Sequence, residues 1–419
     1  MSKGRHRSAS LAVAAGLAVV GLLAACTGGA PAPSAAPPAA APSEASSPSA
    51  SLTPTPTPSP TPSTTPSPTS TPTPPPPPPP PADPLAGWTL EQKVGQLVMV
   101  GLPVKGDRDA TQALVQNRHV GGVFLAGRSQ APVQNVLNLV NAYRALSHDP
   151  ARLLVSTDQE GGQVRVLQGP GFTAAPSATV QVTLPDLAAQ ATTWGSELHA
   201  AGIDVDLAPV ADLVPPELGT GNAPIGHFAR NYGTSPQSVE AGAGAFAAGM
   251  RAAGVVPTIK HFPGLGRVTQ NTDTTANVHD KATTADDASV GIFRDVVAGA
   301  SKGAGPQPWV MMSTAIYDRI DPTLPAAFSP KVVGILRSTL GFQGVVITDD
   351  VSLAKQVQAW SPGDRAVLAI DAGVDIVLAS ADPAQANAML DALIAKAQTD
   401  PAFAAKVDAA AHRVVAAKS

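Results

Sequence analysis

In the stretch Thr258-Ile-Lys-His-Phe-Pro-Gly-Leu-Gly-Arg-Val-Thr-Gln-Asn-Thr-Asp-Thr-Thr275, an apolar run gives way to a polar loop. The preceding Gly254-Val-Val-Pro257 begins a buried strand, and Pro263 and Gly264 mark its end. Lys260 and His261 therefore stand where a strand meets a loop. In a barrel of parallel strands, that edge carries the chemistry.

Seven further apolar runs resemble the one before Lys260. The spacing predicts strands at Leu97–Leu102, Val120–Ala126, Leu153–Thr157, Val205–Val210, Val255–Lys260, Val310–Ser313, Val345–Thr348 and Ile376–Ala379. Continuous apolar character suits parallel strands buried on both faces. Between them lie helical stretches. Ser329-Pro330 and Ser361-Pro362 supply an N-cap and a first-turn proline, with Gly341 and Gly373 as stops. Ala-rich segments at 186–201 and 236–253 make two more helices, and the last helices, about 383–417, are expected on the outside. Strand–helix alternation of this kind predicts an α/β fold, a single (β/α)8 TIM-type barrel over 84–419.

The 419 residues carry a net charge of −4 with only 14% charged side chains, which offers no basic footprint for nucleic acid. Residues 1–25 read as a signal peptide. Lys3, Arg5 and Arg7 precede an apolar run from Leu11 to Ala25, which is shorter than the roughly 20 residues of a membrane span. It ends in Leu23-Ala-Ala-Cys26, a lipobox-like string that makes Cys26, the only cysteine, the expected lipidation site. Residues 26–83 then form a Pro/Ser/Thr/Ala-rich tether with almost no large apolar side chain, expected to be disordered. In polyproline II form such a tether can reach on the order of 100 Å. The expected location is outside the cytoplasm, on the outer face of a bacterial cell membrane, held there by the N-terminal lipid. A tethered barrel of this kind is expected to be a monomer.

Three motifs sit at predicted strand ends. Thr157-Asp158-Gln159-Glu160-Gly161-Gly162 joins acidic side chains to paired glycines, which let a ligand approach closely. Lys260-His261-Phe262-Pro263-Gly264 follows the fifth strand. Gly344-Val-Val-Ile-Thr348-Asp349-Asp350 delivers carboxylates from the seventh. No set of His, Cys, Asp or Glu has the spacing of a metal site, and no cofactor is expected.

Together these strings resemble the bacterial β-N-acetylglucosaminidase branch of glycoside hydrolase family 3. The resemblance implies a barrel enzyme that removes terminal β-linked N-acetylglucosamine by a retaining mechanism, with peptidoglycan or its fragments as substrate. It implies that Asp349 is the nucleophile, with Thr348 in place of the family's Ser and Asp350 in support. Asp158, Lys260 and His261 match sugar-binding residues. Arg230, in Arg230-Asn-Tyr-Gly233 after the loop Asn222-Ala-Pro-Ile-Gly226, matches a sugar-binding Arg. The family's other sugar-binding Arg falls on Val166, so either its neighbour Arg165 substitutes or the contact is lost. Asp206 and Asp212 match framework positions and are expected to be structural.

The main departure concerns the general acid. In this branch the acid is a His oriented by an Asp two residues before it, and the two positions fall on Asp273 and Asn271. Three alternatives follow. Asp273 is itself the acid/base, with Asn271 as its hydrogen-bond partner; or His279, beside Asp280, reaches in; or the protein is a sugar-binding relative with little catalysis. A glycosidase for another β-linked sugar is a further option.

Overall fold

The computed structural model describes residues 83–418. The signal peptide, Cys26 and the tether up to residue 82 lie outside the described residues.

Eight strands alternate with helices. Helix α1 (Leu90–Gln96) precedes β1 (Val98–Pro103), followed by α2 (Asp109–Asn117), β2 (Gly122–Ala126), α3 (Val133–Arg144), β3 (Leu154–Thr157), α4 (Leu187–Ala200) and β4 (Val205–Asp206). The second half continues with α5 (Pro236–Ala252), β5 (Val256–Phe262), α6 (Ala288–Ala300), β6 (Trp309–Met312), α7 (Pro330–Gly334), β7 (Val346–Asp350), α8 (Pro362–Ala372), β8 (Ile376–Ala379), α9 (Ala386–Thr399) and α10 (Pro401–Ala416). All eight strands pair in parallel and close in the order β1-β8-β7-β6-β5-β4-β3-β2. The (β/α)8 barrel is therefore present, and each expected strand falls within a few residues of its observed place.

Local sequence explains the element ends. Ser361 Oγ accepts the Asp364 N–H at 3.2 Å, Pro362 occupies the first turn of α8, and Gly373 ends it at φ +106°. Ser329 caps α7 in the same way, although that helix passes into a π-helical turn at Ile335–Thr339 before Gly341. Strand β4 is shorter than expected. Past Asp206 the chain meets Pro209, which has no N–H to donate, and the regular ladder gives way to single bonds such as Thr258 N–H to Ala208 O and a bridge from Val210 to Lys260.

Inward and outward side chains alternate along each strand. The inward rows meet in a core of Met99, Phe124, Leu154, Val205, Leu207, Val256, Trp309, Met311, Ile347 and Leu378, while the outward rows join a larger core with the helices. Val414 of α10 belongs to the inner core, and Lys418 Nζ donates to Gly121 O at 2.8 Å, just before β2. The last helix therefore seals the N-terminal end of the barrel, a role beyond the outer packing expected of it. The open end is the C-terminal one.

Candidate active site

The same alternation carries polar groups to that open end. Leu154, Ser156 and Asp158 form one inward row; Val256, Thr258 and Lys260 form a second; Val345, Ile347 and Asp349 form a third. Each row is apolar at the bottom and charged at the top, which is why carboxylates and a lysine meet at the mouth. They line a cavity of about 310 Å³, with Arg230, His261 and the loop residues Asn271, Thr272 and Asp273 completing its polar wall.

On one side is a chain of alternating charges. Lys260 Nζ donates to Asp158 Oδ1 at 2.7 Å and pairs with Glu160 Oε1 at 2.7 Å. Glu160 also takes two hydrogen bonds from Arg230, Nε to Oε2 at 2.8 Å and Nη2 to Oε1 at 2.7 Å. Such a bidentate pair fixes direction as well as distance. Burial works against charge in Glu160, but Arg230 and Lys260 overcome it and hold the carboxyl well below its usual range. Burial likewise opposes the Lys260 charge, and Asp158 and Glu160 more than offset it. Glu160, Lys260 and Arg230 stay ionised, and the chain of contacts fixes them and Asp158 in mutual position. The sequence reading assigned Glu160 no part in the site; its signal was its place between Asp158 and the paired glycines. Gly161 stands at φ +106°, and a Cβ there would run into Pro176 O, so only glycine lets the chain turn beneath the site.

His261 is oriented from behind. Its N–H donates to Asp212 Oδ1 at 3.1 Å and its Nδ1 lies 2.7 Å from Asp212 Oδ2, while Leu265 N–H also donates to Oδ1 at 2.7 Å. With Nδ1 engaged, Nε2 is the nitrogen left for a ligand. Asp206, also buried, accepts the Gln159 N–H at 2.9 Å and so holds the turn after Asp158. Its other oxygen has no partner, and burial pushes its carboxyl up to about 8. Both aspartates support site segments from beneath.

Asp349 and Asp273 face the same cavity from different elements. Asp349 ends β7; its Oδ1 accepts the Asp350 N–H at 2.8 Å. Asp350 anchors the strand end: its Oδ1 accepts from Ser352 Oγ, Ser380 N, Ser380 Oγ and Ala381 N, and its Oδ2 accepts from Leu353 N. Burial pushes Asp349 upward, while His261, the Asp350 N–H and Lys260 oppose the rise. Asp273 is pushed up to about 6, first by burial and then by the charges of Asp349 and Asp350. Protein surrounds most of its carboxyl, yet the residue keeps an open flank toward solvent. Of the two, Asp349 is the one whose carboxyl accepts a hydrogen bond, from the Asp350 N–H. A proton shared by the pair is therefore better placed on Asp273.

Three expectations are corrected by the geometry. Asn271 does not bond the Asp273 carboxyl; its Oδ1 accepts the backbone Asp273 N–H at 2.8 Å. The amide thus orders the turn without favouring the ionised acid. His279 does not reach the cavity. It pairs in a small sheet with Ile316, and its Nδ1 lies 2.5 Å from Asp318 Oδ1. Arg165 is also absent from the cavity wall. It lies opposite Gln159 in a short antiparallel pair, with Nε donating to Gly162 O at 3.3 Å, while the next residue, Val166, turns into the core. Arg230 is the guanidinium that reaches the site.

Carboxyl groups facing one small cavity at the C-terminal mouth of a parallel barrel, with Asp349 and Asp273 on different elements, are the arrangement that barrel glycoside hydrolases require. Residues 89–417 match the glycosyl hydrolase family 3 N terminal domain, and the chain belongs to that family. It is 35% identical over 274 residues to a β-hexosaminidase of Stenotrophomonas maltophilia (strain R551-3), spanning 63% of this chain and 77% of that one. The crystal structure of a β-N-acetylhexosaminidase from Beutenbergia cavernae is 55% identical, with a TM-score of 0.76 over 80% of this chain and 99% of that one. A family 3 β-N-acetylglucosaminidase from Paenibacillus is 31% identical, with a TM-score of 0.69 over 79% of this chain and 62% of that one.

Proposed function

We propose that the protein is a retaining glycosidase that removes terminal β-linked N-acetylhexosamine, with Asp349 as nucleophile and Asp273 as acid/base. The carrying observation is that both carboxyls face one cavity and that the Asp273 carboxyl is raised partly by Asp349. Asp158, Arg230, Lys260 and His261 supply charged and polar partners for the hydroxyl and amide groups of the bound sugar.

In the first step an Asp349 oxygen bonds to the anomeric carbon. The bond to the leaving oxygen breaks, and that oxygen takes the Asp273 proton. Esterification removes the Asp349 charge, and with it one of the forces holding the Asp273 carboxyl up. Asp273 is then ionised and takes a proton from water, whose oxygen attacks the anomeric carbon and releases Asp349. One carboxyl thus alternates between acid and base because its neighbour's charge alternates.

The lipobox-like Leu23-Ala-Ala-Cys26 and the tether support a location on the outer face of the cell membrane, with peptidoglycan fragments as substrate. The test is turnover of an aryl N-acetyl-β-glucosaminide by wild type and by Asp349→Asn. Turnover by wild type alone is expected. Equal rates in both would overturn the proposal and leave a sugar-binding protein; turnover of an aryl β-glucoside alone would change the substrate.

A further inference from the structure

Asp273 lies on the loop after β5, whereas Asp349 ends β7. Four hydrogen bonds tie that loop to the turn that follows Asp349. Lys355 N–H donates to Asp273 O at 3.1 Å and Gln356 N–H donates to Thr272 O at 3.0 Å. The Gln356 side chain then behaves like an added peptide group. Its Oε1 accepts the Val278 N–H at 2.8 Å and its Nε2 donates to Val278 O at 3.2 Å. Gln356 is 4% exposed and Thr272 is 2% exposed, so the three bonds made by Gln356 lie in the protein interior, whereas the Lys355–Asp273 bond joins two exposed residues. The loop is thus gripped on both sides of Asp273, at residues 272–273 and at 278.

We propose that Lys355 and Gln356 form a clamp that sets the distance between acid and nucleophile, with Gln356 a positioning residue for the acid step. The inference rests on Asp273 being the acid. The reacting groups of a retaining glycosidase must hold a separation of about 5–5.5 Å, and small displacements are costly in rate. A loop fastened only at its ends would let Asp273 drift. Here the fastening comes from the 3-10 turn Lys355–Val357 that follows β7, so the acid loop is held by the segment leading out of the nucleophile's strand.

Two substitutions test the clamp. Gln356→Ala removes the paired side-chain bonds. Lys355→Pro removes one bond, the donation to Asp273 O. Proline is tolerated there because Lys355 is exposed and opens a 3-10 turn, and Ala354 before it is extended at φ −53°, ψ 124°. The kcat/KM of the full chain is measured on a dinitrophenyl and a phenyl N-acetyl-β-glucosaminide, alongside Asp273→Asn. A good leaving group departs without an acid, so the clamp predicts at least a tenfold greater loss on the phenyl substrate in both variants. Rescue by azide is expected as well. Equal losses on both substrates, or no loss, would overturn it. Should Gln356→Ala fail to fold, Lys355→Pro decides. If Asp273→Asn shows the leaving-group dependence and the clamp variants do not, the clamp alone falls. If Asp273→Asn lacks it, the acid assignment falls, and the clamp with it.

Discussion

Asp273→Asn is the substitution that bears most directly on mechanism. The side chain keeps its size and its cradle, because the turn is held through the backbone by Asn271 and Lys355. Only the transferable proton is lost. General acid catalysis contributes typically 10²–10⁴-fold, so a phenyl glycoside should lose about 3–5 kcal/mol of transition-state stabilisation. On a dinitrophenyl glycoside the first step should change little, and deglycosylation should become limiting and respond to azide with formation of a β-glycosyl azide. The pH profile gives a second magnitude. With the Asp273 carboxyl raised to about 6, roughly nine in ten molecules of free enzyme are protonated at pH 5 and about one in a hundred at pH 8. For wild type acting on the phenyl substrate, kcat/KM should therefore fall about a hundredfold across that range, and the limb should vanish in the variant. Because Asp349 is also raised, the acidic limb belongs to the pair of carboxyls and not to one of them. A basic limb near pH 6 that survives Asp273→Asn, with equal losses on both substrates, would refute the assignment.

Glu160→Gln should leave Lys260 buried with one of its two carboxylates and Arg230 buried without its carboxylate partner, and urea unfolding should show a loss of about 3–5 kcal/mol; a loss below about 1 kcal/mol would mean the network is not coupled. Asp206, raised to about 8, holds a proton when folded that the unfolded chain releases near pH 4, so folding takes up a proton between those values. Stability should therefore fall as pH rises through that window, by up to about 1.4 kcal/mol per pH unit. Asp206→Asn keeps the acceptor for Gln159 N–H and should flatten the slope, as urea titrations at pH 5 and 7.5 would read. Cys26→Ser should shift the protein from the membrane to the soluble fraction with unchanged activity; a membrane-bound protein whose mature N-terminus maps well downstream of residue 26 would exclude the anchor.

The barrel was legible because its strands are local in sequence. Continuous apolar runs, Ser-Pro helix starts and glycine stops each act over a few residues. The ends of strands three, five and seven were legible for the same reason, and the family resemblance of the strings there is what singled out Asp158, Lys260, His261 and Asp349. The length of β4 was not. It depended on how the chain around Pro209 pairs with a neighbouring strand.

Sequence by itself determined the fold class and the strand that carries each inward carboxylate, and it put Asp273 where the family resemblance implies a His. It could not decide among Asp273, His279 and a site without an acid, because Asp273 and His279 lie in the same loop and the sequence does not say which side chain faces the cavity. Tertiary structure supplied the geometry from which Asp273 is proposed as the acid. A strand register tied His279 to Asp318, the short antiparallel pair turned Arg165 away, and the turn after β7 drew Asp273 toward Asp349. It also revealed Glu160 between two cations supplied by β5 and by the Arg230 loop. Charge pairing of that kind depends on distances between segments, and those exist only once the barrel has closed.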